Sequence, residues 1–307
     1  MIYPNPKGTA KRDEVYPEPV KIQSPYSNDT LPWLRGNLHC HSTNSDGLRP
    51  PQEVIDAYAK LGYDFLMVSD HDYITQPGHF EHQGMVLIPG YEVTSDGPHI
   101  LHVNAGAQIE PYRDRQHVLN EIDTQGGGIA VFCHPNRDRL FCHCAQELLE
   151  RMTGYTGIEI YNGVTRRSEG VPLATERWDR LLGQGRRVWG FANDDSHMPV
   201  DDGVAWNVVQ APTRAPADIV HALRTGRFYA STGVAIESIR VEGNRISVVT
   251  RDAERIVAVC DYGRRVSTID GTIMHLTVPD NAPITYIRFE CYGVGDDMAW
   301  TQPIFLA

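Results

Sequence analysis

Short apolar runs recur through the first two thirds of the chain, and each hands over to a histidine or a carboxylate. Phe65-Leu66-Met67-Val68-Ser69 leads into Asp70-His71-Asp72, and Met85-Val86-Leu87-Ile88-Pro89-Gly90-Tyr91 leads into Glu92. Ile129-Ala130-Val131-Phe132-Cys133 leads into His134-Pro135, and Val188-Trp189-Gly190-Phe191-Ala192 leads to Asp194-Asp195-Ser196-His197. Ile100-Leu101-His102-Val103-Asn104 carries His102 within the run. Bounded by Gly, Pro and polar residues, such runs read as buried parallel strands. Helix-like stretches at 51–61, 115–124, 173–183 and 215–225 alternate with them, a pattern that predicts a parallel sheet or barrel. In barrels of that kind the reactive groups collect at the C-terminal ends of the strands.

The first strand end is the richest in such groups. In Gly36-Asn37-Leu38-His39-Cys40-His41-Ser42-Thr43-Asn44-Ser45-Asp46-Gly47, the two histidines fall on one side of an extended strand. His39 and His41 therefore reach one metal ion, while Asp46 in the following loop reaches a neighbouring ion. A lone His-x-His is a weak motif. The same chemistry at later strand ends gives it weight.

Three parts are expected. Residues 1–35, rich in Pro, Lys and Asp, read as an extended arm. Residues 36–232 form the α/β body. From 233 to 307 the texture changes to short alternating strands separated by turn residues, which predicts a small antiparallel β-sandwich-like domain. At 307 residues and 41% hydrophobic content the chain can bury one large core and a smaller second one. No apolar run approaches the roughly 20 residues of a membrane span, and Met1 to Lys21 is too polar for a signal peptide, so a cytoplasmic protein without a membrane partner is expected. A net charge of −11 argues against extended nucleic acid as a partner and leaves small anionic substrates open. The six cysteines lack a disulfide spacing, as expected in a reducing compartment. Cys142-His143-Cys144 has the makings of a soft-metal site, but the sequence supplies no second pair of ligands.

Taken in order, His39-x-His41 with Asp46, Ser69-Asp70-His71, Gly90-Tyr91-Glu92, His102 in a His-Val-Asn-Ala run, His134-Pro135 and Asp195-Ser196-His197 resemble the motifs of the PHP (polymerase and histidinol phosphatase) superfamily of metal-dependent phosphoesterases. Gly157-Ile158-Glu159-Ile160-Tyr161-Asn162, Leu223-Arg224-Thr225-Gly226-Arg227-Phe228-Tyr229 and a terminal β domain with Ala299-Trp300-Thr301 are similar to its CehA/McbA branch. The resemblance implies a distorted (β/α)7 TIM-like barrel with two or three divalent ions, Mn, Fe or Zn, at its strand ends. It assigns His39, His41, Glu92 and Asp195 to a first ion, and Glu92, His102 and His134 to a second. Asp46, His71 and His197 go to a third. His99 competes with His102, and Asp194 with Asp195; the motif matches favour His102 and Asp195.

The activity expected from this set is hydrolysis of a small phosphomonoester or short nucleotide by a metal-bridging hydroxide, with Glu92 holding the bridge. Asp72, Asp194 and metal-bound water are the candidates for protonating the leaving group. Arg137 and Arg139 are positioned in sequence to clamp a phosphate, and Glu159 and Asn162 to line the mouth of the barrel. Hydrolysis of a carboxyl or carbamate ester by the same ions is a rival reading. A non-catalytic metal-binding or sensing module is another.

Overall fold

The computed structural model describes residues 20–306; most of the expected arm, residues 1–19, lies outside them. The first half contains β1 (Ile22–Gln23), β2 (Trp33–Asn37), α1 (Pro51–Lys60), β3 (Phe65–Leu66), β4 (Val86–Leu87), β5 (Gly90–Val93), β6 (Ile100–Val103), α2 (Arg115–Gln125) and β7 (Ile129–Phe132). Then come α3 (Gln146–Arg151), β8 (Gly157–Asn162), α4 (Thr175–Gly183), β9 (Trp189–Asn193), β10 (Trp206–Gln210), α5 (Pro216–Thr225) and β11 (Phe228–Ser231). The remainder is all β: β12 (Ile236–Glu242), β13 (Arg245–Thr250), β14 (Arg255–Cys260), β15 (Arg264–Asp270), β16 (Ile273–Thr277), β17 (Tyr286–Tyr292), β18 (Met298–Thr301) and β19 (Ile304–Leu306). No described helix is long and apolar enough to cross a membrane.

Local chemistry explains the helix limits. Pro51 opens α1, where its fixed φ suits the first turn and its missing N–H costs nothing. Val54, Ile55 and Tyr58 form the buried stripe of that helix. Gly226 closes α5 in the left-handed conformation, and a Cβ there would strike the Trp189 ring.

The expected (β/α)7 barrel is not realised as a closed, regular ring among the described residues. The strands fall into a sheet of order β5-β6-β7-β8-β9, a large sheet running β1-β19-β17-β18-β11-β10-β2-β3-β4 with β14 and β15 attached, and a three-stranded sheet β12-β13-β16. β2, β3 and β4 are parallel, as are β7, β8 and β9, but β5, β6 and β7 pair antiparallel. The cause is loop length: only residues 94–99 separate β5 from β6, too few for the dozen or so that a parallel crossover needs. The chain turns back as a hairpin, and no helix forms there.

Leu34, Leu38, Phe65 and Met67 of one sheet meet Leu101, Val103, Val131 and Phe191 of the other in a fully apolar core. Above this core, isolated parallel bridges at Cys40–Ser196 and His71–Glu92 join the two sheets. Amide side chains complete the seam. Asn207 exchanges hydrogen bonds with the Ala192 backbone at 3.1 and 2.8 Å, and Gln302 does the same with Gly190 at 2.9 and 2.7 Å.

Gln302 lies near the end of the chain, so the C-terminal strands are built into the body. β18 pairs with β11 across the expected boundary at residue 232, and β1 pairs with β19. Between the large sheet and β12-β13-β16 lies a second core that includes Ile246, Val248, Met274, Ile256, Ile287 and Phe289. Arg288 of β17 is fully buried and grips Asp179 of α4 with Nε and Nη2 at 2.8 and 2.6 Å. Removing one partner of such a pair leaves a charge buried and unpaired. Arg288→Ala is therefore expected to destabilise the protein by about 3–5 kcal/mol, measured as the loss in urea unfolding free energy; a loss within the range of a surface substitution would disprove this tie.

Candidate metal centre

Glu92 sits in β5, completely buried, with its two carboxylate oxygens facing different histidines. Oε2 lies 3.4 Å from His39 Nε2, 3.6 Å from His41 Nε2 and 2.8 Å from Nδ1 of His71, which links this group to the Asp46 edge. Oε1 lies 2.9 Å from His99 Nδ1 and 3.3 Å from His134 Nε2. On the His39 side, Asp195 Oδ1 closes the group at 3.2 Å from His39 Nε2 and 3.0 Å from His41 Nε2. Ligand atoms about 2.0–2.2 Å from a common ion stand roughly 3.0–3.5 Å apart, so both groups have the spacing of ion sites. His39 Nε2 and both ring nitrogens of His134 are buried without a hydrogen-bond partner. Such groups carry a cost unless something polar satisfies them.

A third group forms at the edge. Asp46 places Oδ1 3.4 Å from His71 Nε2 and Oδ2 3.3 Å from His197 Nε2, with His41 Nδ1 3.8 Å away. The Asp46 side chain is 55% exposed, so this edge faces solvent.

A surrounding layer orients these rings. Glu159 Oε1 pairs with His39 Nδ1 at 2.7 Å, which turns Nε2 toward Glu92. The His197 backbone-proximal nitrogen, Nδ1, lies 2.8 Å from the Asp195 carbonyl, which turns its Nε2 toward Asp46. Asp70 accepts from the Ser42 amide at 2.7 Å, from Ser42 Oγ and Ser45 Oγ at 2.8 Å each, and from Thr75 Oγ1, fixing the loop that carries Asp46. His134 and Asp195 hold φ values of 27° and 54°, a backbone region sparsely used by side-chain-bearing residues and concentrated at functional sites.

Several sequence expectations need correction. His102 does not join the cluster; His99 does. In the β5–β6 hairpin Glu92 pairs with Leu101 and Tyr91 with His102, so His102 shares the Tyr91 face, its ring 5.6 Å from that tyrosine. His99, two residues before Leu101, lies on the Glu92 face. Because β6 runs away from the site, its N-terminal end meets the cluster. The hairpin was marked in the sequence by Ser95-Asp96-Gly97-Pro98 between two short apolar runs.

Asp194 is structural: it accepts hydrogen bonds from the amides of Gly203, Val204 and Ala205, from Tyr58 Oη and from Asn37 Nδ2, all within 2.8 Å. Burial pushes its carboxyl up to about 7 against the pull of these donors. Asp72 caps the Thr94 and Ser95 amides at 2.8 and 3.0 Å and is likewise committed. Glu159 and Asn162 are each 1% exposed and lie beneath the cluster, where Asn162 Nδ2 donates to Glu159 at 2.9 Å and Asp195 at 3.3 Å; neither lines a mouth. Arg139 is 84% exposed and paired with Glu169. Arg137 alone of the two reaches the site, with Nη1 3.5 Å from Asp195 Oδ2. Cys142 is exposed while Cys144 is buried, so the two thiols do not converge; His143 between them turns toward His99 and His134.

The charge balance favours cations. Burial pulls the His39 imidazole down, but Asp195, Glu159 and Glu92 outweigh it and hold its pKa well above the ordinary value. The same contest, with Asp46 and Glu92 against burial, pushes His71 up to about 10. Burial raises a carboxyl, yet the surrounding histidines hold Glu92 and Asp195 well below the carboxylate range. Protons and divalent ions therefore compete for the same nitrogens. Manganese or zinc is expected to release protons on binding and to bind more tightly as the pH rises from about 6 to about 8, by calorimetry in buffers of different ionisation enthalpy; affinity independent of pH would refute this shared occupancy. Glu92→Gln is expected to weaken two ions together, lowering bound metal by elemental analysis while the thermal melt persists. Full metal content in that variant would remove the bridging role.

No protein-family model matches the chain, and no curated protein sequence is detectably similar to it. Among solved structures, the chain is similar to a two-domain protein from Bacteroides vulgatus containing a predicted PHP-like metal-dependent phosphoesterase. The TM-score is 0.50 at 17% identity, over 98% of this chain and 99% of that one. That likeness is one of fold, and it spans both parts of the molecule. A second similar structure is the lesion-specific endonuclease EndoQ from Pyrococcus furiosus, with a TM-score of 0.44 at 13% identity over 75% of this chain and 62% of that one.

Proposed function

We propose that this protein is a metal-dependent hydrolase of the PHP type that cleaves small phosphoesters. The observation that carries the reading is the division of the Glu92 oxygens between two histidine groups, which is the arrangement of a carboxylate bridging two ions. His39, His41, Glu92 and Asp195 would hold the first ion, and Glu92, His99 and His134 the second. Asp46, His71 and His197 would hold a third at the exposed edge. Manganese, iron and zinc all suit nitrogen and carboxylate ligands. When bound, the ions would supply Lewis-acid charge and an activated water at neutral pH.

The protein's own groups account for the rest. The apolar core beneath and the buried Glu159 layer exclude water from below, so substrate enters from the Asp46 side. Arg137, 30% exposed at the rim, offers a planar fork to phosphate oxygens, and exchanges Asp195 for the stronger anion as substrate arrives. With Asp72 and Asp194 both committed to backbone amides, the leaving oxygen takes its proton from solvent at the open edge. The fold likeness to a chain described as containing a predicted PHP-like metal-dependent phosphoesterase supports the same reading.

The test is release of inorganic phosphate from a panel of phosphomonoesters and short nucleotides by protein loaded with manganese, iron or zinc, set against turnover of carboxyl and carbamate esters. Phosphate release that falls by about 100-fold or more in Arg137→Ala is the expected result. Turnover of carboxyl or carbamate esters alone would overturn the phosphoester assignment and keep the hydrolase. Metal binding without any turnover would favour a sensing module.

A further inference from the structure

His143 lies outside the ligand set assigned above, yet it is packed against two members of it. Its ring centroid is 4.4 Å from that of His99 and 4.5 Å from that of His134, edge to face in both cases, and the latter two are 5.0 Å apart. Ring nitrogens of the three residues fall within 4.8 Å of one another. The contact that matters most is to the main chain. His143 Nε2 accepts the His99 backbone N–H at 3.1 Å, and Nδ1 lies 3.2 Å from Asp138 Oδ2. A neutral imidazole that accepts at Nε2 must carry its proton on Nδ1, and Asp138 is placed to receive that proton in a hydrogen bond.

This matters because His99, like His134 after β7, lies outside the strand ladders, so other contacts must hold its backbone. It precedes β6, and its carbonyl is taken by the Cys133 amide at 3.0 Å. The His143 contact satisfies the other half of its backbone. The loop bearing His143 is itself anchored by Arg177 of α4, which donates to Asn136 Oδ1, to the Cys144 carbonyl at 3.1 Å and to the Phe141 carbonyl at 2.8 Å. The chain from α4 through the loop to His143 and on to the His99 amide is continuous.

We propose that His143 is a positioning residue for the second ion: held by Asp138, it fixes the backbone of His99 so that the His99 imidazole meets Glu92 Oε1. The inference rests on the reading of the cluster as a metal centre, and its test separates the two. In metal-free protein, hydrogen exchange at the His99 amide is expected to be about tenfold faster in His143→Ala, the loss of one hydrogen bond, and to recover in His143→Gln, whose amide oxygen can accept in place of Nε2. In cobalt or zinc titrations, His143→Ala is expected to bind one equivalent about 10–100-fold more weakly, with His143→Gln restoring most of the loss and the other equivalents unchanged. Unaltered exchange at His99, or unaltered affinity for every equivalent in His143→Ala, would overturn the proposal. If the wild-type protein binds no metal, the metal reading fails, and the exchange measurement still decides whether His143 holds His99.

Discussion

A carboxylate buried between two groups of imidazoles is the constraint around which the rest of the molecule is arranged. Taking an ionised carboxylate out of water costs several kcal/mol unless opposite charge or strong donors compensate. At Glu92 the compensation comes from His39, His41 and His71 on one oxygen and His99 and His134 on the other. Those histidines come from different strands or strand ends, so the requirement acts across the whole α/β body. It also explains why the layer beneath is so fully bonded: Glu159 and Asn162 fix ring orientations that a shift of an ångström would spoil.

The site stands on two sheets whose backbones do not form one continuous ladder. Hydrogen bonds across the seam come instead from Asn207 and Gln302 side chains and from the isolated bridges at Cys40–Ser196 and His71–Glu92. Two of those bridge residues are site histidine and carboxylate. The seam and the cluster are therefore the same region, and a group that closes the cluster also holds the sheets together. The C-terminal strands enter this arrangement through β18 on β11, Gln302 on Gly190 and Arg288 on Asp179. They are mechanically part of the body that carries the site.

Much of this was legible from the chain alone. His39, His41, Asp46, His71, Glu92, His134, Asp195 and His197 stand out because strand spacing and strand ends are local properties, and the structure brings all eight together. The short apolar runs and the shift to alternating strands after residue 232 are local in the same sense. What failed was whatever depended on strand direction or on a side chain's far partner. The His-Val-Asn-Ala match favours His102 over His99, but β6 runs away from the site, so His99 just before it meets Glu92. Asp72, Asp194, Glu159 and Asn162 have the right chemistry near the right strand ends, but their partners lie up to a whole chain fold away and commit them to holding structure.

Sequence by itself determined which residue types reach the strand ends and at what spacing, because the period of a strand and the hydrophobicity of its core follow from neighbouring residues. Only the tertiary structure decided that the Glu92 oxygens divide between two groups and that His143 reaches back to the His99 amide. Each of these depends on residues far apart in the chain meeting within hydrogen-bond range, and pairing of that kind is set by how the whole chain buries its apolar surface.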